Sequence, residues 1–209
     1  MNLPYSYLWS YLTAIGEAKT ILDLGTDDGQ FMNDIGKGKN WIIDGIEIYK
    51  PSFNKAKESE VYRKTWLGDV ELIAKELISK KQKYDVVLCS QVLEHLDKNK
   101  GKRILKLAEK LATKRIVFAL PISFMNQPVE FLKGNPYQAH RSGWSIDELR
   151  GLGFTVHGMG IKFLWSENGI CRTLPKEYRL PFVILGYIFA PLCYYFPHFA
   201  SGMIAVKEI

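Results

Sequence analysis

The chain has 209 residues, of which 47% are hydrophobic and 24% charged, so that wholesale disorder and two independent cores are both excluded. The net charge of +6 is uneven, since residues 1–100 hold 14 Lys and Arg against 15 Asp and Glu, whereas residues 101–209 hold 14 against 7. This asymmetry favours an anionic partner of the second half, such as a phosphate-bearing substrate, an anionic membrane or nucleic acid, unless it serves solubility alone.

Short apolar runs alternate with amphipathic stretches along the chain. Apolar side chains at helical spacing from Tyr5 to Ile15 predict a first helix. Strands are predicted over 20–24, 41–48, 62–66, 84–90 and 115–120, with a sixth strand after Phe154. Helices are predicted between them over 30–35, 51–61, 70–79 and 99–113. This alternation indicates βαβ units, which form a parallel sheet covered on both faces and bind ligands at the carboxyl ends of its strands.

The turn after the first predicted strand is rich in glycine and acids. In the run from Asp23 to Gly29, Gly25 directly follows the strand, where it permits a tight turn and close approach of a ligand. Glu47 lies 22 residues beyond Gly25 and ends the second strand, so its carboxylate can accept hydrogen bonds from ribose hydroxyls. Asp69 follows the third strand. The alternative is that these three positions are ordinary loop residues.

This acidic turn does not suit the phosphates of a nucleotide. A dinucleotide-binding GxGxxG fingerprint would need glycine at Asp27 and Gln30, and a carboxylate there would repel a pyrophosphate. A P-loop is excluded because the chain contains no GK[ST] sequence. An adenosine ligand that carries a positive centre instead of phosphates fits the acids better.

Taken together, these segments resemble the class I S-adenosylmethionine-dependent methyltransferases. The resemblance covers about residues 18–160 and is carried by ILDLGTDDG at 21–29, Glu47, GDV at 68–70, YDVVLCSQVLEHL at 84–96 and HRSGWSIDEL at 140–149. It implies a doubly wound, Rossmann-like α/β fold with a seven-stranded, mostly parallel sheet, helices on both faces and an antiparallel last strand. It also implies S-adenosylmethionine as the cofactor and S-adenosylhomocysteine as a product.

The resemblance further implies a set of cofactor-binding residues. These are Asp23, Gly25, Thr26, Gly29, Glu47, Ile48, Asp69, Val70, Ser90 and Gln91. By position, the methionine portion would lie against Asp23, Gly25 and Gly29, the ribose against Glu47, the adenine against Asp69 and Val70, and the sulfonium beside Ser90 and Gln91. Asp27 replaces the family's usual middle glycine; it can adopt left-handed geometry or point outward, and it could narrow the pocket.

Two histidines are predicted to be catalytic. Methyl transfer from a sulfonium is an in-line displacement, for which the protein positions the acceptor and removes its proton. His95, with its neighbour Glu94, follows the fourth strand, His140 follows the fifth, and imidazole titrates near neutral pH. Alternatively, Glu94 and His95 are polar positions on a short helix and His140 binds the acceptor. No metal is expected, because no cluster of His, Asp and Glu has metal-ligand spacing.

The sequence disfavours several acceptors. Enzymes of this family that methylate nucleic-acid amino groups carry Asn/Asp-Pro-Pro-aromatic after the fourth strand, where this chain has Ser90-Gln-Val-Leu93; Asn135-Pro-Tyr137 follows the fifth strand instead. Cytosine-C5 chemistry needs a nucleophilic cysteine in a loop, whereas Cys89 lies within an apolar strand. A small-molecule or lipid-like acceptor is therefore predicted. The alternatives are a non-catalytic S-adenosylmethionine-binding or membrane-associated module and an RNA methyltransferase.

The tail is the most apolar part of the chain, since residues 180–206 contain no Lys, Arg, Asp or Glu. Its length would suit a membrane span, but three prolines divide it and a closing strand is needed over 202–207. Residues 161–200 are therefore predicted to be an insertion that serves as a lid over the acceptor pocket, a peripheral membrane contact or a homodimer interface through 180–200. Its upstream flank is basic at Arg172, Lys176 and Arg179.

We expect one methyltransferase-like domain over 1–209, with an N-terminal helix in 1–18 and a cofactor-binding core in 19–160. Three scattered cysteines and the lack of a CxxC pair argue against a disulfide framework and structural zinc. Residues 1–16 lack the basic region of a signal peptide. A cytoplasmic or membrane-peripheral location is therefore expected.

Overall fold

A computed structural model of the chain describes residues 3–126, 132 and 134–209. Its seven strands are β1 Thr20–Leu24, β2 Ile42–Glu47, β3 Lys64–Leu67, β4 Tyr84–Ser90, β5 Ala112–Pro121, β6 Thr155–Ile161 and β7 Ala200–Glu208. Its helices are α1 Tyr7–Ile15, α2 Gln30–Gly36, α3 Lys50–Glu58, α4 Val70–Ser79, α5 Lys98–Leu111, α6 Ile146–Gly151, α7 Lys162–Trp165, α8 Ile170–Thr173, α9 Leu180–Ile188 and α10 Ala190–Tyr195.

The strands form one sheet in the order β3-β2-β1-β4-β5-β7-β6. The first five strands pair in parallel, and β7 runs antiparallel to both β5 and β6. This arrangement confirms the predicted doubly wound α/β fold with an antiparallel last strand. Because β1 lies between β2 and β4, the strand order reverses beside β1, and a ligand site is expected at the carboxyl ends of these three strands.

Two apolar clusters cover the two faces of the sheet. Ile21 and Val86 belong to one cluster, whereas their neighbours Leu22 and Val87 belong to the other. This alternation follows from the period of two in a β-strand, and strands buried on both faces are therefore apolar throughout. The sheet is fixed from both sides, so that its carboxyl-terminal edge can hold side chains in defined positions.

Several predicted boundaries differ from those in the structure. β1, α4 and β4 have their predicted bounds, but β3 begins at Lys64 because the ring of Tyr62 is buried and its hydroxyl donates to Asp23 Oδ2 at 2.7 Å. α3 ends at Glu58, and Glu60 adopts a left-handed φ of 57°. β5 is longer than its predicted 115–120, and β7 is longer than its predicted 202–207, because the two strands pair along their length.

The apolar tail forms two short helices, α9 and α10, between β6 and β7. α9 has no buried residue, whereas α10 buries Cys193 and Tyr194. Across the described residues, the structure contains no helix with both the length and the apolar character needed to cross a membrane. The segment predicted as an insertion, 161–200, thus contains the four short helices α7 to α10, of which α9 presents apolar surface.

Candidate active site

A cavity of about 390 Å³ opens at the carboxyl ends of β1, β2 and β4. Seven of the ten predicted cofactor-binding residues line it, namely Gly25, Glu47, Ile48, Asp69, Val70, Ser90 and Gln91. Its other lining residues are Asp27, Val92, His95, Leu96, Lys100, Asn135, Tyr137, Gln138 and Arg141. The cavity therefore lies where the reversal of strand order predicts a ligand site.

Gly25 forms the floor of the turn after β1. Its φ is 90°, and its N–H donates to the carbonyl of Ile46 on the neighbouring strand at 2.8 Å. A Cβ built at this position would collide with Val92 Cγ2, and Val92 itself lines the cavity. Only glycine satisfies both the left-handed backbone and the close approach.

Glu47 ends β2 and is 7% exposed. Its Oε2 accepts the N–H of Asp27 at 2.9 Å and its Oε1 accepts the N–H of Tyr49 at 2.8 Å. Burial raises the pKa of Glu47, and these two N–H donors partly offset the rise because they favour the charged form. A carboxylate has about four acceptor positions, so each oxygen can still accept a hydroxyl from the cavity.

Asp27 adopts the geometry that a glycine would otherwise supply. Its φ is 46°, its Oδ1 accepts the hydroxyl of Ser52 at 2.7 Å, and the residue lines the cavity. Together with Glu47 and Asp69, it places three acids around the same space. Lys100 and Arg141 line the same space and Lys100 pairs with Asp69, so a positive charge on a ligand would be favoured beside Asp27 and Glu47 rather than around the whole cavity.

Asp69 combines its place in the cavity with a structural role. Its Oδ1 accepts the N–H groups of Glu71 and Leu72 and so caps α4. Its Oδ2 pairs with Lys100 Nζ at 2.5 Å. The carboxylate is thus largely engaged by the protein, which leaves the backbone around Val70 as the part of this segment that a ligand can use.

Three of the predicted cofactor residues do not line the cavity: Asp23, Thr26 and Gly29. Thr26 is buried, and Gly29 is the N-cap of α2. Asp23 is 2% exposed and accepts the hydroxyl of Tyr62. Burial raises the pKa of Asp23 to about 7, although the Tyr62 hydrogen bond opposes the rise. These three residues therefore support the turn after β1 without lining the cavity.

The two predicted catalytic histidines lie together, with ring centroids 4.9 Å apart. His95 lines the cavity, and burial lowers the pKa of its imidazole to about 4. Glu94 is buried beside them, and burial raises the pKa of its carboxyl to about 8. One ligand-type atom from each of Glu94, His95 and His140 lies within 4.8 Å of the others. The sequence spacing did not indicate this cluster, because His140 reaches it only through the tertiary fold.

A second cavity of about 540 Å³ adjoins the first and shares Gln91 with it. Its walls come from the segment around α1, from β6 and from α9, and they include Tyr5, Tyr7, Met125, Met159, Trp165, Val183 and Tyr187. The hydroxyls of Tyr7 and Tyr11 lie 3.0 Å apart, and that of Tyr11 lies 2.5 Å from Ser90 Oγ, so a hydrogen-bonded chain joins the two cavities. Sequence reasoning missed these tyrosines, which occur in an ordinary amphipathic helix.

Comparison with known proteins gives a family match and several similar folds. Residues 6–153 match the family described as methyltransferase domain, whereas no curated protein sequence matches the chain. A SAM dependent methyltransferase from Archaeoglobus fulgidus is similar in structure, with a TM-score of 0.61 at 18% identity over 97% of this chain and 91% of that one. The methyltransferase domain of bacterial CtHen1-C gives 0.56 at 18% identity over 100% and 99%. Magnesium protoporphyrin IX methyltransferase from Synechocystis PCC 6803, solved with bound SAM, gives 0.51 at 15% identity over 95% and 75%.

Proposed function

The chain belongs to the methyltransferase domain family, and we propose that it transfers the methyl group of S-adenosylmethionine to a small-molecule or lipid-like acceptor. The observation that carries this proposal is the pair of adjoining cavities that share Gln91. One is acidic and lies at the carboxyl ends of the parallel strands, and the other has walls from the apolar tail. A cofactor in the first would present its methyl group towards an acceptor in the second.

The residues around the first cavity fit S-adenosylmethionine. Glu47 retains acceptor positions for the two ribose hydroxyls, and Gly25 leaves room for close approach to the backbone. The acids of the wall match a ligand with a sulfonium and an amino group. When bound, the cofactor supplies a methyl group on a positively charged sulfur, which leaves as a neutral thioether.

The protein's own contribution is mainly to positioning. We assign Ser90 and Gln91 to the sulfonium region, where Ser90 is held by Tyr11. His95 and His140 are assigned to the acceptor side, where the neutral imidazole of His95 can accept a proton from a hydroxyl. Asp23, Thr26 and Gly29 shape the turn rather than contact the cofactor.

The tail supports a lipid-like acceptor that reaches the enzyme from a membrane surface. Every residue of α9 is apolar or Gly, Pro or Tyr, and none is buried. Ile184 is 53% exposed and Ile188 is 63% exposed, while Lys176 lies just before this helix. An apolar face beside a basic residue is the arrangement that interfacial helices use on anionic lipid. α9 would therefore rest on the membrane and open the second cavity towards it.

The function is tested by calorimetry with S-adenosylmethionine and by a methyl-release assay on lipid and small-molecule extracts. We expect binding to one site and transfer of labelled methyl into a lipid-soluble product, with both reduced in Glu47→Ala. Binding without turnover on any extract would favour a non-catalytic module. Labelling of RNA instead of lipid would contradict the proposed acceptor class.

Membrane contact is tested by sedimentation with vesicles of phosphatidylcholine and phosphatidylserine. We expect the wild-type chain to sediment with anionic vesicles, and Ile184→Gln/Ile188→Gln to remain in the supernatant with an unchanged thermal unfolding midpoint. A wild type that stays in the supernatant but forms dimers, which the double substitution separates, would show that α9 is a dimer interface instead.

A further inference from the structure

We propose that Glu94, His95 and His140 form a binding site for a divalent first-row transition-metal ion. One ligand-type atom from each side chain lies within 4.8 Å of the others. Glu94 and His95 lie in the short 3₁₀ turn Leu93–His95 that follows β4, and His140 lies in the segment before α6. The site adjoins the cofactor cavity, because His95 lines that cavity.

The buried carboxylate of Glu94 is the first indication that this cluster binds a cation. The residue is 3% exposed, and neither carboxylate oxygen has a hydrogen-bond partner within residues 3–126, 132 and 134–209. The Nδ1 atom of His95 is likewise buried and without a partner in that part of the chain. Buried polar groups are almost always paired, since a carboxyl group left unpaired in the protein interior is strongly unfavourable. Two unpaired groups side by side therefore indicate a shared ligand that accepts their lone pairs.

The orientation of His140 fits a metal ligand. Its Nδ1 lies 2.6 Å from the carbonyl oxygen of Met125. Because a carbonyl only accepts, Nδ1 must carry the proton, which leaves the lone pair on Nε2. Histidines that bind metals typically donate their other ring N–H to a carbonyl or carboxylate in this way, which fixes both tautomer and ring orientation.

The backbone brings the three side chains together before any ion binds. The carbonyl of Glu94 accepts the N–H groups of Arg141 at 2.7 Å and Ser142 at 3.0 Å. The Ser142 hydroxyl donates to the carbonyl of Leu93 at 3.1 Å. These three hydrogen bonds hold the segment after His140 against the turn that carries Glu94 and His95. The cluster is thus preorganised, which favours a built site over a chance encounter.

The donor set decides which ions the site would take. Two imidazole nitrogens and one carboxylate oxygen suit Zn²⁺, Co²⁺ or Mn²⁺ better than Ca²⁺ or Mg²⁺, which prefer oxygen alone. Three protein ligands leave a coordination position open. On the premise of the proposed function, that position would accept an oxygen of the methyl acceptor, so we infer an acceptor with a hydroxyl or carboxylate group. The ion would lower the pKa of a coordinated hydroxyl, and with the ion bound this effect would replace proton acceptance by His95, which would then be a ligand.

The test uses the full-length chain, stripped with a chelator, without S-adenosylmethionine or acceptor. Zn²⁺ and Mn²⁺ are titrated by calorimetry, and Co²⁺ by its visible absorption. We expect one ion per chain, bound at least tenfold more weakly by Glu94→Gln and by His140→Ala. The matched control His198→Ala removes an exposed histidine outside the cluster and should bind like the wild type.

Thermal unfolding separates a metal site from a purely structural cluster. We expect the ion to raise the unfolding midpoint of the wild type but not that of Glu94→Gln, whose metal-free midpoint should equal or exceed that of the metal-free wild type. The site is disproved if none of the three ions binds with one-per-chain stoichiometry, or if His140→Ala binds like the wild type. Because these assays contain no cofactor, their failure leaves the proposed methyl transfer standing, and failure of cofactor binding leaves the metal site standing.

Discussion

We propose that Glu47 is the residue on which recognition of the cofactor most depends. Its two oxygens are held by the N–H groups of Asp27 and Tyr49, so the remaining acceptor positions are fixed in direction. We expect Glu47→Ala to weaken S-adenosylmethionine binding by about 1–3 kcal/mol, the range of a hydrogen bond to a buried charged group. In calorimetry this is a rise in Kd of roughly 5- to 150-fold.

The control for this substitution is Glu76→Ala, which removes a carboxylate that pairs with Lys80 on the exposed side of α4. It should leave the Kd unchanged. An equal Kd for Glu47→Ala and the wild type would mean that the end of β2 does not hold the ribose.

Asp23 makes a prediction about stability and pH. Its pKa in the folded chain is raised by burial to about 7, against 3.8 for an ordinary aspartate. Between these values Asp23 is more protonated in the folded state than in the unfolded state, so its contribution to the free energy of unfolding falls as pH rises, by about 4 kcal/mol in all. Asp23→Asn keeps an acceptor for Tyr62 and should remove this decline. Urea unfolding at pH 5, 6, 7 and 8 measures it.

The comparison variant is Asp85→Asn, because the N–H of Lys19 and the charge of Lys114 lower the pKa of Asp85. Its carboxylate stabilises the fold above its unfolded pKa, so its removal should cost stability at neutral pH. Parallel curves for Asp23→Asn and the wild type from pH 5 to 8 would show that Asp23 is charged in the folded state.

The residues that sequence reasoning identified share one property, which is that they follow a strand in a short motif. Gly25, Glu47 and Gln91 were found in this way, and all three line the cavity. Residues whose role depends on a long-range contact could not be found. Nothing local to Tyr62 indicates that its hydroxyl reaches Asp23, 39 positions earlier.

At the scale of elements, β7 is the part of the tail on which the fold depends. It lies between β5 and β6 and pairs with both. A chain that ends after Arg179 would leave the facing edges of both strands unpaired, with buried Met203, Ile204 and Ala205 missing from the core. We expect this truncation to be insoluble or unfolded, as judged by circular dichroism and size-exclusion chromatography.

The matched control is the full-length Ile184→Gln/Ile188→Gln chain, in which only exposed side chains of α9 change. It should fold with a wild-type midpoint. A truncated chain that is soluble and unfolds cooperatively would mean that the tail is a separable anchor and that β7 adds little to the sheet.

The type of an element could be predicted where its apolar pattern is continuous. The ends of an element could not be predicted where a side chain departs from that pattern. β4 has its predicted bounds because the run from Val86 to Cys89 is apolar and buried on both faces. β3 is short, half-buried and at the edge of the sheet, so the apolar residues around it do not define its start. The insertion before the last strand was predicted from prolines and length, whereas the exposure of α9 could only come from its packing.

At the scale of the whole molecule, the charge asymmetry and the exposed apolar helix α9 both favour contact with an anionic membrane. The half of the chain with 14 basic and 7 acidic residues is also the half that carries α9. The acids, in contrast, gather around the cofactor cavity near the carboxyl ends of β1 and β2. We propose that the basic half faces anionic lipid and that the cationic cofactor binds beside Asp27 and Glu47, so that the two ligands occupy separate surfaces.

This division predicts how vesicle binding responds to salt. A lysine near an anionic surface contributes about 1 kcal/mol, so Lys176→Ala should weaken binding to phosphatidylserine vesicles by roughly fivefold at low ionic strength. At 1 M salt the Debye length is about 3 Å, and the difference from the wild type should nearly vanish while the apolar contribution of α9 remains. Lys57→Ala on α3, in the acidic half, serves as the control and should bind like the wild type. Vesicle binding that is equal for Lys176→Ala and the wild type at low salt would mean that the basic flank does not face the membrane, and that any contact is made by apolar side chains alone.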